Sequence, residues 1–289
     1  AVRVLQEVGT DTSYRYLKDK FHLSTLDHAD NALSPLALGG LTYGVTVKEL
    51  AAAYSVLPNS GHYNKPFTYT KVIDNAGKLL LENEPQASKS INESTAYVAT
   101  QLLSSVVNGA SGTGKLAKLD EMPVYGKTGT NNNDYDKWFV GFTPYYVGAV
   151  WYGFDNQASI RDAGVGYNVS AKAWKLVMQK VHENLSVRDF EMPSDVVEVT
   201  LCKKTGKLAS KNCGYKMTEY FVSGTEPGKY CESAHGSTSK SSSTKHTASP
   251  TPSADSEPET NGTDEEEIQP SAPPAHTPEA ETPIEIPAA

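Results

Sequence analysis

Lysine, threonine and glycine fall together twice in this chain, and one of the two copies has a setting that suits chemistry. Lys127-Thr128-Gly129-Thr130 closes the run that begins Val124-Tyr125-Gly126. It is followed by Lys137-Trp138-Phe139-Val140-Gly141-Phe142 and then Tyr146-Val147-Gly148-Ala149-Val150-Trp151. A cationic amine can stabilise or help deprotonate a hydroxyl nucleophile, hydroxyls can bind a carboxylate, and a bare strand edge can pair with an extended peptide. Acyl transfer is the chemistry this set suits. The second copy, Lys204-Thr205-Gly206, sits between Val196–Cys202 and a polar segment with no aromatic strand after it, so it reads as a hairpin turn.

The elements that must position the first copy are three strands. Each run is short, aromatic or β-branched, and bounded by Asn, Asp, Thr or Pro, which predicts neighbouring antiparallel strands on short loops. Side chains alternate along a strand, so Lys127 and Gly129 share one face while Thr128 and Thr130 share the other. A glycine inside a strand marks close approach of a ligand or of other backbone. Upstream, residues 1–8 pattern as a helix, and a second helix starts at Thr12 or Ser13 and carries Tyr14, Tyr16 and Leu17. Asn31 to Gly44 reads as loop. Thr46 and Glu49 form a capping box, opening a helix that ends near Pro58-Asn59-Ser60-Gly61 and places Tyr54 in the core. Phe67 to Leu81, turning at Asp74-Asn75-Ala76-Gly77, reads as a hairpin.

A second capping box, Ser90 to Glu93, opens a helix with Val98, Leu102 and Val106 on its apolar stripe and Gly109 at its end. Ser111-Gly112-Thr113-Gly114-Lys115 looks like a phosphate loop, but Leu116 follows the lysine, so a flexible connector is the expectation. After the third strand, Ser170 caps a helix with Trp174, Val177, Met178 and Val181 on its core face.

Taken together, G-K-T-G-T, the Asn/Asp loop, W-F-V-G-F-T-P-Y and V-W-Y-G resemble the transpeptidase domain of bifunctional (class A) penicillin-binding proteins. Ala37-Leu38-Gly39-Gly40-Leu41-Thr42-Tyr43-Gly44-Val45-Thr46 and Glu49-Leu50-Ala51-Ala52-Ala53-Tyr54 share the likeness, which spans residues 1 to 185 or so. In that serine family K-T-G works with an S-x-x-K nucleophile and an S-x-N element. The resemblance implies an α/β fold of the α+β type, an antiparallel sheet flanked by helices, incomplete at its N-terminus. It also implies a peptidoglycan D,D-transpeptidase whose serine attacks the penultimate D-Ala carbonyl of a stem peptide, or a β-lactam carbonyl, to form an acyl-enzyme.

On this chain Lys127 would contact the serine of S-x-N, and Thr128 and Thr130 would bind the substrate carboxylate. The Thr130 amide would supply half of the oxyanion hole, and Gly129 would leave room for substrate. No cofactor and no catalytic metal are implied. The expected partners are D-Ala-D-Ala stem peptides and β-lactams, at the extracytoplasmic face of the bacterial cell membrane. Ala1-Val2 resembles the family stretch directly after S-x-N, so a fragment is expected. Nucleophile, S-x-N, membrane anchor and a glycosyltransferase half would then lie upstream, and the fragment alone would be inactive. Ser237-Thr238-Ser239-Lys240 and Ser242-Ser243-Thr244-Lys245 have the nucleophile spacing, but nothing there orients a serine. The alternatives are a non-catalytic wall-associated scaffold with a degenerate penicillin-binding fold, or a β-lactamase or D,D-carboxypeptidase relative.

Charge sorts the rest of the 289 residues. The net charge is −8, and from Gly236 onward ten acidic residues face only Lys240 and Lys245, so the body is neutral and gives no hint of nucleic-acid binding. No apolar run approaches the ~20 residues that span a bilayer. The expected division is 1–190 for the transpeptidase portion, 191–235 for a small β appendage, and 236–289 for a disordered acidic tail rich in Ser, Thr, Pro and Glu. Strand-like runs at 196–201 and 219–222 mark the appendage, which holds all three cysteines, Cys202, Cys213 and Cys231. Two of them could form a disulfide and leave one thiol over; zinc ligation together with His235 is the other reading, against which stands the absence of a C-x-x-C pair. The tail has nine prolines and no Phe, Trp or Tyr, too little apolar surface to offset its ordering entropy. Limited proteolysis is expected to remove the residues after about Gly236 while the remainder persists. Protection of that segment would refute the expectation.

Overall fold

The computed structural model describes residues 1–131, 133–156 and 158–232. Gly9, at φ +83°, makes the first break, parting helix α1 (Val2–Val8) from α2 (Thr10–Arg15). The second helix therefore starts at Thr10, ahead of the expected Thr12 or Ser13, and widens into a π-turn over Tyr16–Lys20. Residues 31–44 are not all loop. A helix, α3 (Leu33–Leu38), ends there at Gly39 in the left-handed region, and buried Asp30 holds its flanks. The Asp30 carboxylate accepts from the amides of Asp27 (2.9 Å) and Thr42 (2.7 Å) and from the Thr42 hydroxyl (2.7 Å). Burial pushes that carboxyl up, but the three hydrogen bonds outweigh it and hold Asp30 below the usual carboxylate value.

Helix α4 (Val47–Ser55) begins at Thr46, whose hydroxyl accepts from the Glu49 amide at 3.1 Å. The Glu49 carboxylate reaches back to Thr46 at its hydroxyl (3.1 Å), while its other oxygen takes the Ser24 hydroxyl (2.6 Å) and amide (3.3 Å). Strands β1 (His62–Asn64), β2 (Lys71–Ile73), β3 (Leu79–Glu82) and β4 (Ala87–Lys89) form two small antiparallel pairs, β1 with β4 and β2 with β3. The β2–β3 hairpin turns as expected, with the Asp74 carboxylate accepting from Ala76 and Lys78 amides, both at 2.9 Å.

Helix α5 (Glu93–Asn108) starts without its predicted capping box. The Ser90 hydroxyl donates to the Lys20 carbonyl at 2.7 Å instead, and Glu93 accepts from Ser60 at 3.1 Å. Its buried face is Ser94, Ala96, Thr100 and Val107, while Leu102 of the expected stripe is 59% exposed. The connector that follows is part of the core: a 3-10 turn over Lys115–Ala117 buries Ala117.

The central sheet has the predicted strands, β5 (Tyr125–Thr130), β6 (Asp136–Phe142) and β7 (Val147–Gly153), antiparallel in the order β5-β6-β7. Helix α6 (Val169–His182) packs across β6 and β7, and α4 also meets these two strands. Asn168, not Ser170, caps α6 by accepting from the Ala171 amide at 2.9 Å. Ser170 is buried and donates to the Lys137 carbonyl at 2.6 Å. The core face is Ala171, Trp174, Met178 and His182, spaced by three or four residues, whereas Val177 (60%) and Val181 (46%) are exposed.

Trp174 packs edge-on to Phe139 with ring centroids 5.3 Å apart, and its indole N–H donates to the Gly148 carbonyl at 3.1 Å. Gly126, Gly141 and Gly148 are paired across the three strands, forming a row beneath these rings. A Cβ at Gly141 would come within 2.6 Å of the Phe139 ring, and one at Gly148 within 2.8 Å of the indole nitrogen. Val107, Ala117, Leu119, Met122 and Val124 complete this core. His182 donates from Nδ1 to the Met178 carbonyl (2.7 Å) and so accepts at Nε2 from the Thr143 hydroxyl (2.8 Å).

Beyond α6, β8 (Val196–Cys202) and β9 (Lys216–Val222) pair antiparallel along their full lengths. Lys204-Thr205-Gly206 is a turn as expected, with the Thr205 and Gly206 amides donating to the Cys202 carbonyl at 3.2 and 2.9 Å. The three cysteines are buried as free thiols. His235 and the tail lie outside the described residues. Because Trp174 fills the slot over the glycine row, Trp174→Ala is expected to cost about 3–5 kcal/mol. Val177→Ala, on the exposed row, is expected to stay within about 0.5 kcal/mol. Urea midpoints of the two variants check the assignment of faces.

Candidate active site

Strand β5 is an outer strand of the central sheet, with β6 on its inner side. Its pairing places Lys127 opposite Val140, Thr128 opposite Phe139, Gly129 opposite Trp138 and Thr130 opposite Lys137. The expected alternation follows. Thr128 is on the face of the Phe139 core, and Lys127 and Gly129 are on the face of Trp138 and Val140.

Lys127 is exposed, and its Nζ donates back to the Thr128 carbonyl at 2.9 Å. Thr128 is half-buried, its hydroxyl 2.7 Å from that of Thr113 in the connector after α5. Thr130 is exposed at the end of the strand. At Gly129 an added Cβ would lie 2.9 Å from the Trp138 Cβ, so the missing side chain first serves the close approach of the neighbouring strand.

Both ends of this segment are anchored, by residues that sequence reasoning did not single out. At the near end Thr113 engages Thr128, and the Asn108 amide reaches the Val124 carbonyl at 3.5 Å. At the far end the Asn131 side chain closes the loop: its Oδ1 accepts from the Tyr135 amide (2.7 Å) and its Nδ2 donates to Asp136 (3.0 Å). The other Asp136 oxygen accepts from the Trp151 indole at 2.6 Å, tying the loop to β7. Asp134 takes a left-handed φ of 54°, and its carboxylate pairs with buried Lys137 and, at 2.7 Å, with Arg161. The Asn131 to Asp136 and Asp134-x-x-Lys137 spacings around the turn were the available signals, but Arg161 is brought in by tertiary folding alone.

Chemically, the segment offers an amine, two hydroxyls on the opposite face and a strand edge, which can hold an extended peptide and its terminal carboxylate. Every Ser-x-x-Lys in the chain lies outside the described residues. Among the described residues no helix is long and apolar enough to cross a membrane.

The fold and this strand define a class. The family model for the penicillin binding protein transpeptidase domain matches residues 1–180, and that for the penicillin-binding protein 1A C-terminal domain matches residues 192–236. The chain belongs to the penicillin-binding protein transpeptidase family. Penicillin-binding protein 1A of Clostridium tetani is 38% identical over 245 residues, covering 80% of this chain and 31% of the relative. Penicillin-binding protein 1A/1B of Bacillus subtilis is 34% identical over 251 residues, covering 78% and 26%. The chain thus spans less than a third of these relatives' length. Among solved structures, penicillin-binding protein 1A from Haemophilus influenzae superposes with a TM-score of 0.66 at 24% identity, over 80% of this chain and 39% of that one, which shows the shared fold.

The Asp134 clamp has a pH signature. The Lys137 hydrogen bond, then the charges of Lys137 and Arg161, hold its carboxyl below the usual 3.8 against the opposing effect of burial. A depressed carboxyl contributes stability that is full above the unfolded value and is lost as pH falls through the folded one. Asp134→Asn is therefore expected to be less stable than the parent at neutral pH, with the gap closing as pH drops below 3.8. Urea denaturation at neutral pH and at about pH 3 tests it; a pH-independent gap would refute the clamp.

Proposed function

We propose that this chain supplies the K-T-G face of a peptidoglycan D,D-transpeptidase that also binds penicillin. The observation that carries the reading is Lys127-Thr128-Gly129-Thr130 on an outer strand, in a chain whose first 180 residues match the transpeptidase family model. In the whole protein a serine from a segment other than the described residues attacks the penultimate D-Ala carbonyl. The C–N bond to the terminal D-Ala breaks, that residue leaves as the free amino acid, and an acyl-serine remains. The amine of a second stem peptide then attacks the ester, forming the cross-link and releasing the serine. A β-lactam carbonyl takes the place of the peptide and stays bound as the acyl-enzyme.

Within that reaction Lys127 provides positive charge beside the path of the serine proton. Its amine now hydrogen-bonds the Thr128 carbonyl and is exposed, so it can swing to a hydroxyl partner. Thr128 and Thr130 hold the substrate carboxylate, and the Thr130 amide donates to the oxyanion. Gly129 keeps the strand close to Trp138 and leaves the segment free of bulk. The reaction runs at the extracytoplasmic face of the membrane, in a protein that also carries a glycosyltransferase part.

In the full-length protein, Lys127→Ala is expected to slow acylation by a fluorescent penicillin by about 10²–10³-fold, as loss of an electrostatic stabiliser does. Lys204→Ala, in the turn copy where the amine lies 4.1 Å over the Tyr215 ring, is expected to leave the rate unchanged. Equal effects would refute the assignment, and no acylation of the parent protein would favour a non-catalytic scaffold.

A further inference from the structure

The β8–β9 hairpin has an unusual core. Its buried cluster consists of Cys202, Cys213 and Cys231, with half-buried Ala209 against them. Cys202 ends β8, Cys213 lies in the loop before β9, and Cys231 follows β9 after a further loop, so the sequence separates what the fold brings together. The three Sγ atoms lie within 4.8 Å of one another. We propose that they form a structural zinc site in which the three cysteine thiolates bind one Zn²⁺. Three thiolates leave the fourth tetrahedral position open to a further donor.

Four observations carry the proposal. The first is distance: tetrahedral zinc with Zn–S bonds of about 2.3 Å holds its sulfurs about 3.8 Å apart, so the observed triangle closes by small side-chain rotations. The second is number. A disulfide would engage two of the sulfurs and strand the third as a buried thiol, whereas one metal ion uses all three.

The third is the orientation of donors. The Ser210 amide donates to the Cys231 sulfur at 3.3 Å, and the turn Lys203-Lys204-Thr205-Gly206 folds back onto Cys202, its Thr205 and Gly206 amides donating to the Cys202 carbonyl at 3.2 and 2.9 Å. Gly206, at φ +68°, lets the chain make that turn. A backbone N–H aimed at sulfur suits a thiolate ligand, as it fixes ligand orientation and spreads its charge, and a turn pinned to Cys202 holds that ligand in place. Fourth, a module of about 40 residues in which Val196 and Leu201 are buried beside the three cysteines gains little from apolar burial, and such small scaffolds depend on a staple. Metal binding supplies it, each thiol releasing its proton to solvent as it becomes a ligand.

The site is separate from β5 and does not depend on the transpeptidase reading. The test uses the whole chain, purified under reducing, chelator-free conditions and then exposed to zinc chloride. Native mass spectrometry is expected to show one zinc per chain, released by a mercurial and measured by a colorimetric indicator. The three cysteines should resist iodoacetamide until the zinc is stripped. The Co²⁺-loaded chain should show the strong visible absorption of a tetrahedral thiolate site. Cys213→Ser, with its fold checked by circular dichroism, is expected to lose stoichiometric zinc. The proposal is overturned if the parent chain binds no zinc, if peptide mapping finds two of the cysteines joined in a disulfide, if iron displaces zinc as the bound metal, or if a folded Cys213→Ser chain retains full zinc.

Discussion

The packing of Trp174 onto a row of glycines is the constraint on which the rest of the molecule depends. A large indole can approach the sheet that closely only because Gly141 and Gly148 present backbone where other residues would present a Cβ. The indole N–H then finds the Gly148 carbonyl, so the buried ring leaves no polar atom unpaired. Once Trp174 is seated, α6 has one azimuth and one height. Its first turn falls on β6, where Ser170 donates to the Lys137 carbonyl and the Asn168 amide reaches the Trp138 carbonyl at 3.1 Å. These are the residues paired with Thr130 and Gly129, so the helix core reaches the candidate site through one strand.

The outer strand itself is held from three sides. Beta pairing to β6 sets its register, Thr113 braces Thr128 from the connector, and the Asn131, Asp134 and Asp136 network stiffens the loop beyond Thr130. A rigid edge matters for a group that must meet a substrate carboxylate and a developing oxyanion, because preorganised donors do not have to be ordered at the moment of reaction. Lys127 keeps an exposed head on this frame, which suits a charge that must find its partner in another part of the protein.

The chain uses two different kinds of core. Around α6 the interior is aromatic and aliphatic and is stabilised by area removed from water. In the β8–β9 hairpin the buried cluster is three thiols, where polarisable sulfur with directed amide donors replaces bulk. The contact between the two is also aromatic: Tyr97 of α5 meets Tyr220 of β9 edge-on at 5.7 Å. Exposed Leu102 of α5 and Phe221 of β9 line the groove beside that contact.

What the sequence determined on its own was whatever depends on short-range period and backbone chemistry. The central strands, the alternation of Lys127 and Gly129 against Thr128 and Thr130, the turn at Asp74 and the turn role of Lys204-Thr205-Gly206 were legible, because a strand repeats every second residue and turn residues act within a few bonds. The family likeness was legible for the same reason, being carried by contiguous motifs. Tertiary structure decided the rest. Val98, Leu102 and Val106 form a stripe on paper of which Leu102 is exposed and the two valines only half-buried, and Val177 and Val181 are exposed, because an apolar helix row becomes the buried one only when a partner surface meets it. The box at Ser90 was lost to the Lys20 carbonyl, a competitor 70 residues away that no local rule registers. The convergence of Cys202, Cys213 and Cys231 and the arrival of Arg161 at Asp134 have the same cause: contacts between distant segments are set by how the elements pack, and spacing along the chain carries no record of them.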